Sequence, residues 1–119
     1  MAQVQELTTR TQVDDLVHES NAHPVAVLKH SIACPISARG QREFVALEDD
    51  GDPPLYAVVV QYARDISNYI AEKTGVRHET PQVLILSGGE VVYSASHYDI
   101  SSGALREAAQ KATSDGASA

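Results

Sequence analysis

The sequence predicts an α/β fold, in which helices flank a central mixed sheet of four strands. Three observations support this prediction. Short apolar runs rich in β-branched residues alternate with amphipathic segments, two of these runs are separated by a predicted helix, and the last two are separated by a loop of hairpin length. Strands joined through a helix are expected to lie parallel with a right-handed crossover, whereas the two strands of a hairpin are antiparallel.

The first half of the chain predicts a helix, a strand and a second helix. Residues 11–20 carry apolar side chains at helical spacing and form an extra helix ahead of the sheet. The nearly continuous apolar run Val25–His30 is typical of a strand that is covered on both faces. A second helix is predicted from residue 35 to about residue 47, and its apolar stripe consists of Ile36, Gly40, Phe44 and Leu47.

The second half predicts a strand, a helix, a hairpin and a final helix. Asp65 is placed to cap the first of these helices, and Gly75 is placed to end it in the left-handed conformation. The order of the elements is that of the thioredoxin fold with one extra helix in front, and order alone defines no function. The predicted elements are a strand at residues 56–61, a helix carrying Ile66, Tyr69 and Ile70, strands at 82–86 and Glu90–Ser96, a helix carrying Leu105, Ala108, Ala109 and Ala112, and a flexible tail at about 113–119.

The composition limits the location and the partners of the protein. With 119 residues, of which 43% are hydrophobic and 21% charged, the chain has the size of a single globular domain over residues 1–119. No apolar run approaches the about 20 residues of a membrane span, and the first residues lack the basic start and apolar stretch of a signal peptide. A net charge of −7 argues against a nucleic-acid or anionic-membrane partner. We therefore expect a cytoplasmic protein that binds neither nucleic acid nor membrane.

The stretch HSIACPIS contains the single cysteine of the chain, Cys34, directly before a proline. Proline is favoured at the first position of a helix, so Pro35 places Cys34 at the helix N-cap. Free amide N–H groups and the positive end of the helix dipole stabilise the reactive thiolate at such a position. The pattern predicts a nucleophile near neutral pH, to which the hydroxyl of Ser37 could donate a hydrogen bond. The alternative is a small, buried and inert cysteine.

Pro81 stands directly ahead of the strand predicted at residues 82–86. The simpler interpretation is a trans proline that begins a strand, because only about 5–6% of bonds before proline are cis. In a thioredoxin-like chain, however, the proline before the third strand is cis and packs against the active cysteine. There it exposes the backbone of the preceding residue, here Thr80, to the substrate.

A resemblance to a known family covers about residues 25–105, in register through three separate segments. The segments read KHSIACPISARGQREF, RDISNYIAEKTGVRHETPQ and GGEVVYSASHYDIS. They are similar to the monothiol bacilliredoxins of the YtxJ-like family. Within the first segment, Cys-Pro-Ile-Ser resembles a glutaredoxin Cys-Pro-x-Cys site in which serine replaces the resolving cysteine.

The resemblance implies a cytosolic thioredoxin-fold enzyme that removes bacillithiol from mixed disulfides on other proteins. It implies that Cys34 is the attacking thiol and that Ser37 occupies the lost resolving position. It also implies substrate contacts from Pro35, Ile36 and the cis-proline platform Thr80-Pro81. No bound cofactor or metal is expected. Bacillithiol is the low-molecular-weight co-substrate, and the expected partners are bacillithiolated proteins, bacillithiol and a thiol reductase that regenerates Cys34.

Two other functions stay open at the level of sequence. Monothiol glutaredoxins with serine in this place can hold an iron–sulfur cluster between two subunits, although a glycine generally follows their cysteine where this chain has Pro35. The other alternative is a non-catalytic interaction domain with an inert Cys34. Among His30, His78 and His97, no pair shows the close spacing of a zinc motif. Six basic residues are further candidates for contact with the thiol or with the carboxylates of bacillithiol: His30, His78, His97, Arg39, Arg42 and Arg77.

Overall fold

One five-stranded mixed sheet with helices on both faces forms the centre of the protein. The structure is a computed structural model that describes residues 3–32 and 35–117. No helix within this part of the chain is long and apolar enough to cross a membrane. The elements are β1 (Val4–Glu6), α1 (Arg10–Glu19), β2 (Val25–His30), α2 (Pro35–Val45), β3 (Leu55–Val59), α3 (Arg64–Thr74), β4 (Gln82–Ser87), β5 (Glu90–Ser96), a 3-10 turn (His97–Asp99) and α4 (Ser102–Ala117).

The strands lie in the order β1-β3-β2-β4-β5. The pairs β1–β3 and β3–β2 are parallel, and the pairs β2–β4 and β4–β5 are antiparallel. The predicted α/β class with a central mixed sheet is confirmed, but the sheet has five strands and not four. The additional strand β1 is only three residues long and none of its residues is buried, so it carries no apolar pattern that a sequence could show. Its existence depends on backbone pairing with β3.

Side chains of β2 alternate between two hydrophobic cores, because successive residues of a strand point to opposite faces. Val25 and Val27 belong to the core beneath α1 and α3. Ala26 and Leu28 belong to the core beneath α2 and α4. The strand is therefore covered on both faces, as its continuous apolar run predicts, and the same alternation directs Lys29 towards α1 and α3.

Several helix details differ from the sequence-based predictions. The N-cap of α3 is Ala63, which makes no side-chain cap, and Asp65 lies inside the first turn. Gly75 does end this helix in the left-handed conformation, with φ of 74°. The buried face of α2 is formed by Ser37, Gly40 and Phe44, whereas Ile36 is half-buried. The last helix continues to Ala117, through most of the segment that its composition predicts to be a tail.

Gly40 allows α2 to approach the loop before β4. A Cβ atom added at this buried position would lie 3.2 Å from Cδ1 of Ile100 and 3.4 Å from Cβ of Pro81. Contacts of this length force the neighbouring atoms to move. The absence of a side chain at Gly40 is therefore what lets Pro81 pack directly against the helix.

Substitution Gly40→Val is expected to lower the free energy of unfolding by about 1–3 kcal/mol, because the added methyl groups overpack the contact with Pro81 and Ile100. Urea denaturation measures the change. Gly103→Val is the matched control, because no atom lies within 4 Å of a Cβ at that position. If both variants lose the same free energy of unfolding, the loss is due to placing a branched side chain in a helix and not to the packing against Pro81 and Ile100.

Candidate functional site

Several functional candidates converge at one end of the sheet. The last residues of β2 pair with the first residues of β4, where Lys29 lies opposite Gln82. Gln82 in turn lies opposite Ser96 at the end of β5. At this end of the sheet the chain therefore leaves β2 towards α2, enters β4 from the Thr80–Pro81 loop and leaves β5 for the 3-10 turn.

Cys34 lies outside the described residues, together with Ala33. The residues on either side of this pair, Ile32 and Pro35, are described. Ile32 ends the segment after β2, and α2 begins at Pro35, as the sequence predicts. The capping role of Cys34 stays a prediction.

Ser37 is fully buried in the first turn of α2. Its Oγ accepts a hydrogen bond from the backbone N–H of Ser31, with an N–O distance of 3.2 Å. This bond ties the segment before Cys34 to the helix after it. A hydroxyl that accepts one bond still carries its own proton. The donation of this proton to the sulfur of Cys34 remains a prediction.

The loop before β4 is held from two sides. The peptide bond between Thr80 and Pro81 is cis. Pro81 is buried next to Gly40 of α2, and its carbonyl oxygen accepts a hydrogen bond of 3.0 Å from the backbone N–H of His97. The position of this loop is therefore set by the helix that follows Cys34 and by the turn that follows β5.

His78 connects this loop to the interior of the sheet. Its Nε2 lies 3.2 Å from Oγ1 of Thr80. Its Nδ1 lies 3.0 Å from Oγ of Ser67 on α3 and 3.3 Å from Nζ of Lys29 on β2. Ser67 and Lys29 are both almost completely buried. A line of hydrogen-bonding groups thus runs from the central strand to the residue before Pro81.

Burial determines the charges along this line. Lys29 has lost its hydration, and this lowers the pKa of its ammonium from 10.5 to about 8. Partial burial also lowers the pKa of His78, and the positive charges of Lys29 and Arg64 act in the same direction, against the opposing effect of Glu79. The imidazole of His78 is therefore neutral at neutral pH.

The other basic candidates have different surroundings. His30 ends β2, and burial lowers its pKa, so its ring is also neutral at pH 7. Its buried Nδ1 has no hydrogen-bond partner among the described residues. His97 has a positive φ of 54°, which is uncommon for a residue with a side chain, and its Nδ1 lies 4.0 Å from Oε2 of Glu79.

The three arginines do not meet at the site. Nη1 of Arg39 donates to the carbonyl of Ile100 at 3.0 Å, and its guanidinium lies 5.9 Å from the ring centre of Tyr98. This arginine therefore links α2 to the segment before α4. The side chains of Arg42 and Arg77 are exposed, and the described contact of Arg77 is through its carbonyl, which accepts from the side chain of Gln82.

The sequence-based prediction did not include two features of this end of the sheet. Lys29 is a charged residue inside an otherwise apolar strand, and that break in the pattern was the available signal. The second feature is a set of exposed apolar side chains in the loops at this end of the sheet. Ile32 is 56% exposed, Tyr62 is 74% exposed and Tyr98 is 67% exposed. Isolated exposed residues are common, so only their shared position on the folded protein distinguishes them.

Comparison with solved structures defines the class of the protein. A structure described as a candidate oxidoreductase with a thioredoxin fold is 38% identical, with a TM-score of 0.80 over 88% of this chain and 92% of that chain. A mutant thioredoxin from Halobacterium salinarum NRC-1 is 17% identical, with a TM-score of 0.73 over 93% and 91%. Thioredoxin f from spinach chloroplast is 21% identical, with a TM-score of 0.70 over 93% and 94%. The fold is thioredoxin-like, and the last two likenesses show the fold alone.

The family follows from the sequence of the same region. The family of the monothiol bacilliredoxin BrxC matches residues 5–105. The chain belongs to this family, whose members are thiol oxidoreductases of thioredoxin-like fold. The resemblance over the segments around Cys34, Pro81 and β5 is thereby confirmed.

Substitution Lys29→Met is expected to stabilise the protein at pH 7 by about 1–3 kcal/mol, because it replaces a buried ammonium with an apolar side chain of similar length. The advantage should shrink as pH rises. Between pH 8 and 10.5 the unfolded wild-type chain binds the lysine proton and the folded protein releases it, so wild-type stability increases with pH across this range.

Urea denaturation of both proteins at pH 7.0 and 9.5 measures this difference. Tyr56 titrates in both proteins, with a pKa that burial and Glu19 raise to about 12, so its contribution cancels in the comparison. A stability difference that stays constant between the two pH values would contradict the assignment of a lowered pKa to Lys29.

Proposed function

We propose that this protein removes bacillithiol from mixed disulfides on other proteins, with Cys34 as the attacking thiol. Membership of the monothiol bacilliredoxin family supports the choice of bacillithiol. The structural observation that carries the proposal is the packing of the Pro81 loop against α2, the helix that begins directly after Cys34. In the proposed reaction, a disulfide that reaches Cys34 meets the backbone of Thr80, the residue before Pro81.

The reaction needs one protein thiol and two exchange steps. The thiolate of Cys34 attacks the bacillithiol sulfur of the mixed disulfide, the old S–S bond breaks, and the substrate thiolate leaves and takes a proton from water. Cys34 then carries bacillithiol in a new disulfide. The thiolate of a second bacillithiol, or of a thiol reductase, attacks the bacillithiol sulfur and releases the Cys34 thiolate. The chain contains one cysteine, so the adduct has no internal route to resolution.

Exposed apolar side chains support a protein as the substrate. Ile32 and Tyr62 belong to neighbouring loops, because the backbone N–H of Ile32 donates to Oε1 of Gln61 at 3.3 Å. Tyr98 lies in the turn that follows β5, at the same end of the sheet. A protein disulfide could bury these side chains on docking, whereas a small thiol alone leaves them in water. All three lie in loops at the same end of the sheet as the segment that contains Cys34.

The direct test offers a bacillithiolated model protein to the wild type, Cys34→Ala and Cys34→Ser. Intact-protein mass spectrometry is expected to find the mass of bacillithiol on the wild type and on neither variant, together with release of the free thiol of the model protein. Iodoacetamide labelling against pH is the control for an inert cysteine, since a reactive Cys34 is labelled below the free-thiol value of about 8.5. Labelling of the wild type without any transfer of bacillithiol would falsify the proposal.

Substitution Ser37→Cys is expected to convert the protein from one-thiol to two-thiol chemistry. The new thiol stands at the resolving position of a Cys-Pro-x-Cys motif and should displace bacillithiol from Cys34 within the same molecule. Mass spectrometry is then expected to show an internal disulfide, with the bacillithiol adduct reduced at least tenfold. The matched control Ser37→Ala should retain the adduct and lose about 1 kcal/mol of stability with the bond to Ser31. A persistent adduct in Ser37→Cys would place residue 37 out of reach of Cys34.

A further inference from the structure

Lys29 is the buried charged group to which the proposed exchange chemistry assigns no role. It stands on the central strand between Val58 of β3 and Gln82 of β4, and its residue surface is completely buried. An ammonium in such a place needs a hydrogen-bond acceptor to offset the loss of water. The acceptor is Nδ1 of His78, 3.3 Å from Nζ.

The chemistry of the two side chains fixes the direction of this hydrogen bond. An ammonium only donates, so Nδ1 of His78 accepts while Lys29 is charged. A neutral imidazole carries one proton, which must then be on Nε2. Nε2 lies 3.2 Å from Oγ1 of Thr80 and donates to it. The hydroxyl of Thr80, already an acceptor, keeps its own proton for another partner.

Loss of the proton from Lys29 permits the opposite arrangement. A neutral amine has a lone pair and can accept, as can the Oγ of Ser67, which lies 3.0 Å from Nδ1. The imidazole proton can then move to Nδ1, and Nε2 becomes an acceptor. In that state the proton of the Thr80 hydroxyl is directed to His78 and away from the site.

We propose that Lys29 is a positioning residue, whose buried ammonium holds His78 in the Nε2–H tautomer and so keeps the hydroxyl proton of Thr80 available to a thiolate beside Pro81. The functional part of this inference rests on the proposed exchange reaction, since it concerns the thiolates that this reaction forms and releases. The coupling of Lys29 to the tautomer of His78 is independent of any substrate. The site thereby acquires a pH dependence from a group outside the thiol itself.

Few other groups on the adjoining elements can produce the same pH dependence. The neighbours of Lys29 on the two adjacent strands, Val58 and Gln82, do not ionise. On the α3 side, Arg64 at the start of the helix is the group whose positive charge acts on His78. The loop contributes Glu79, which acts on His78 in the opposite direction and whose Oε2 lies 4.0 Å from Nδ1 of His97. The neighbouring residue His30 points to the opposite face of the sheet, as strand alternation requires.

Nitrogen-15 NMR of the His78 ring tests the tautomer directly and without substrate. In the wild type at pH 6.5 we expect a protonated-type signal for Nε2 and an unprotonated-type signal for Nδ1. The two shifts should move towards each other between pH 7 and 9, with a midpoint near the pKa of about 8 for Lys29. An Nδ1–H tautomer at pH 6.5, or shifts that do not change over this range, would overturn the inference.

Lys29→Met and Ser67→Ala form a matched pair of variants, because each removes one neighbour of Nδ1. Lys29→Met is expected to give mixed-tautomer shifts without a pH dependence between 7 and 9. Ser67→Ala should keep the Nε2–H tautomer at pH 6.5. The reverse result would transfer the role to Ser67 and refute the one given to Lys29. If Lys29→Met does not fold, the titration of the wild type alone decides.

Rates of bacillithiol transfer test the functional part. Thr80→Val, which removes the hydroxyl and keeps the shape, is expected to slow transfer at pH 7 by about fivefold, the usual effect of one hydrogen bond. Lys29→Met should slow it by a smaller factor, because part of His78 keeps the Nε2–H tautomer, and the double variant should be no slower than Thr80→Val. Multiplicative losses would show that Lys29 acts independently of Thr80. Absence of transfer in the wild type would remove the proposed function and leave the NMR result standing.

Discussion

The two-sided burial of β2 is the constraint on which the rest of the protein depends. The strand pairs with β3 on one edge and β4 on the other, and its side chains alternate into the cores beneath α1 and α3 and beneath α2 and α4. A strand held in this way has one register and one direction, because a slip by one residue would exchange its two faces. The chain therefore leaves the sheet at a defined point, and that point is the segment containing Cys34.

Close packing at the end of β2 converts this defined exit into a site. Gly40 brings α2 against Pro81, the N–H of His97 holds the Pro81 carbonyl, and Ser37 ties the first turn of α2 to Ser31. The two contacts of Pro81 join segments that are far apart in the chain. The three contacts are a backbone hydrogen bond, a bond to a short serine hydroxyl and a contact across a missing side chain, so the loop positions do not depend on long flexible side chains.

The same burial that fixes the strand also makes its one lysine unusual. An ammonium in an apolar sheet costs free energy, which a lowered pKa and the bond to His78 only partly offset. Stability alone therefore gives no reason for a lysine at this position, whereas its connection to Thr80 through His78 gives a chemical one. The interior of the sheet and the loop before β4 are thereby part of one hydrogen-bonded unit.

The sequence by itself determined the features that local chemistry controls. Apolar periodicity located the helices and β2. Gly75 and the two glycines of the β4–β5 turn adopt positive φ angles, as their positions in the sequence predict. Pro35 marks the start of α2. Tertiary structure decided what long-range pairing controls. It added the exposed strand β1, buried Ser37 in place of Ile36, and joined Lys29 to a histidine 49 residues away. Periodicity and capping act over a few residues, whereas these contacts depend on which strands become neighbours, and no local spacing records that order.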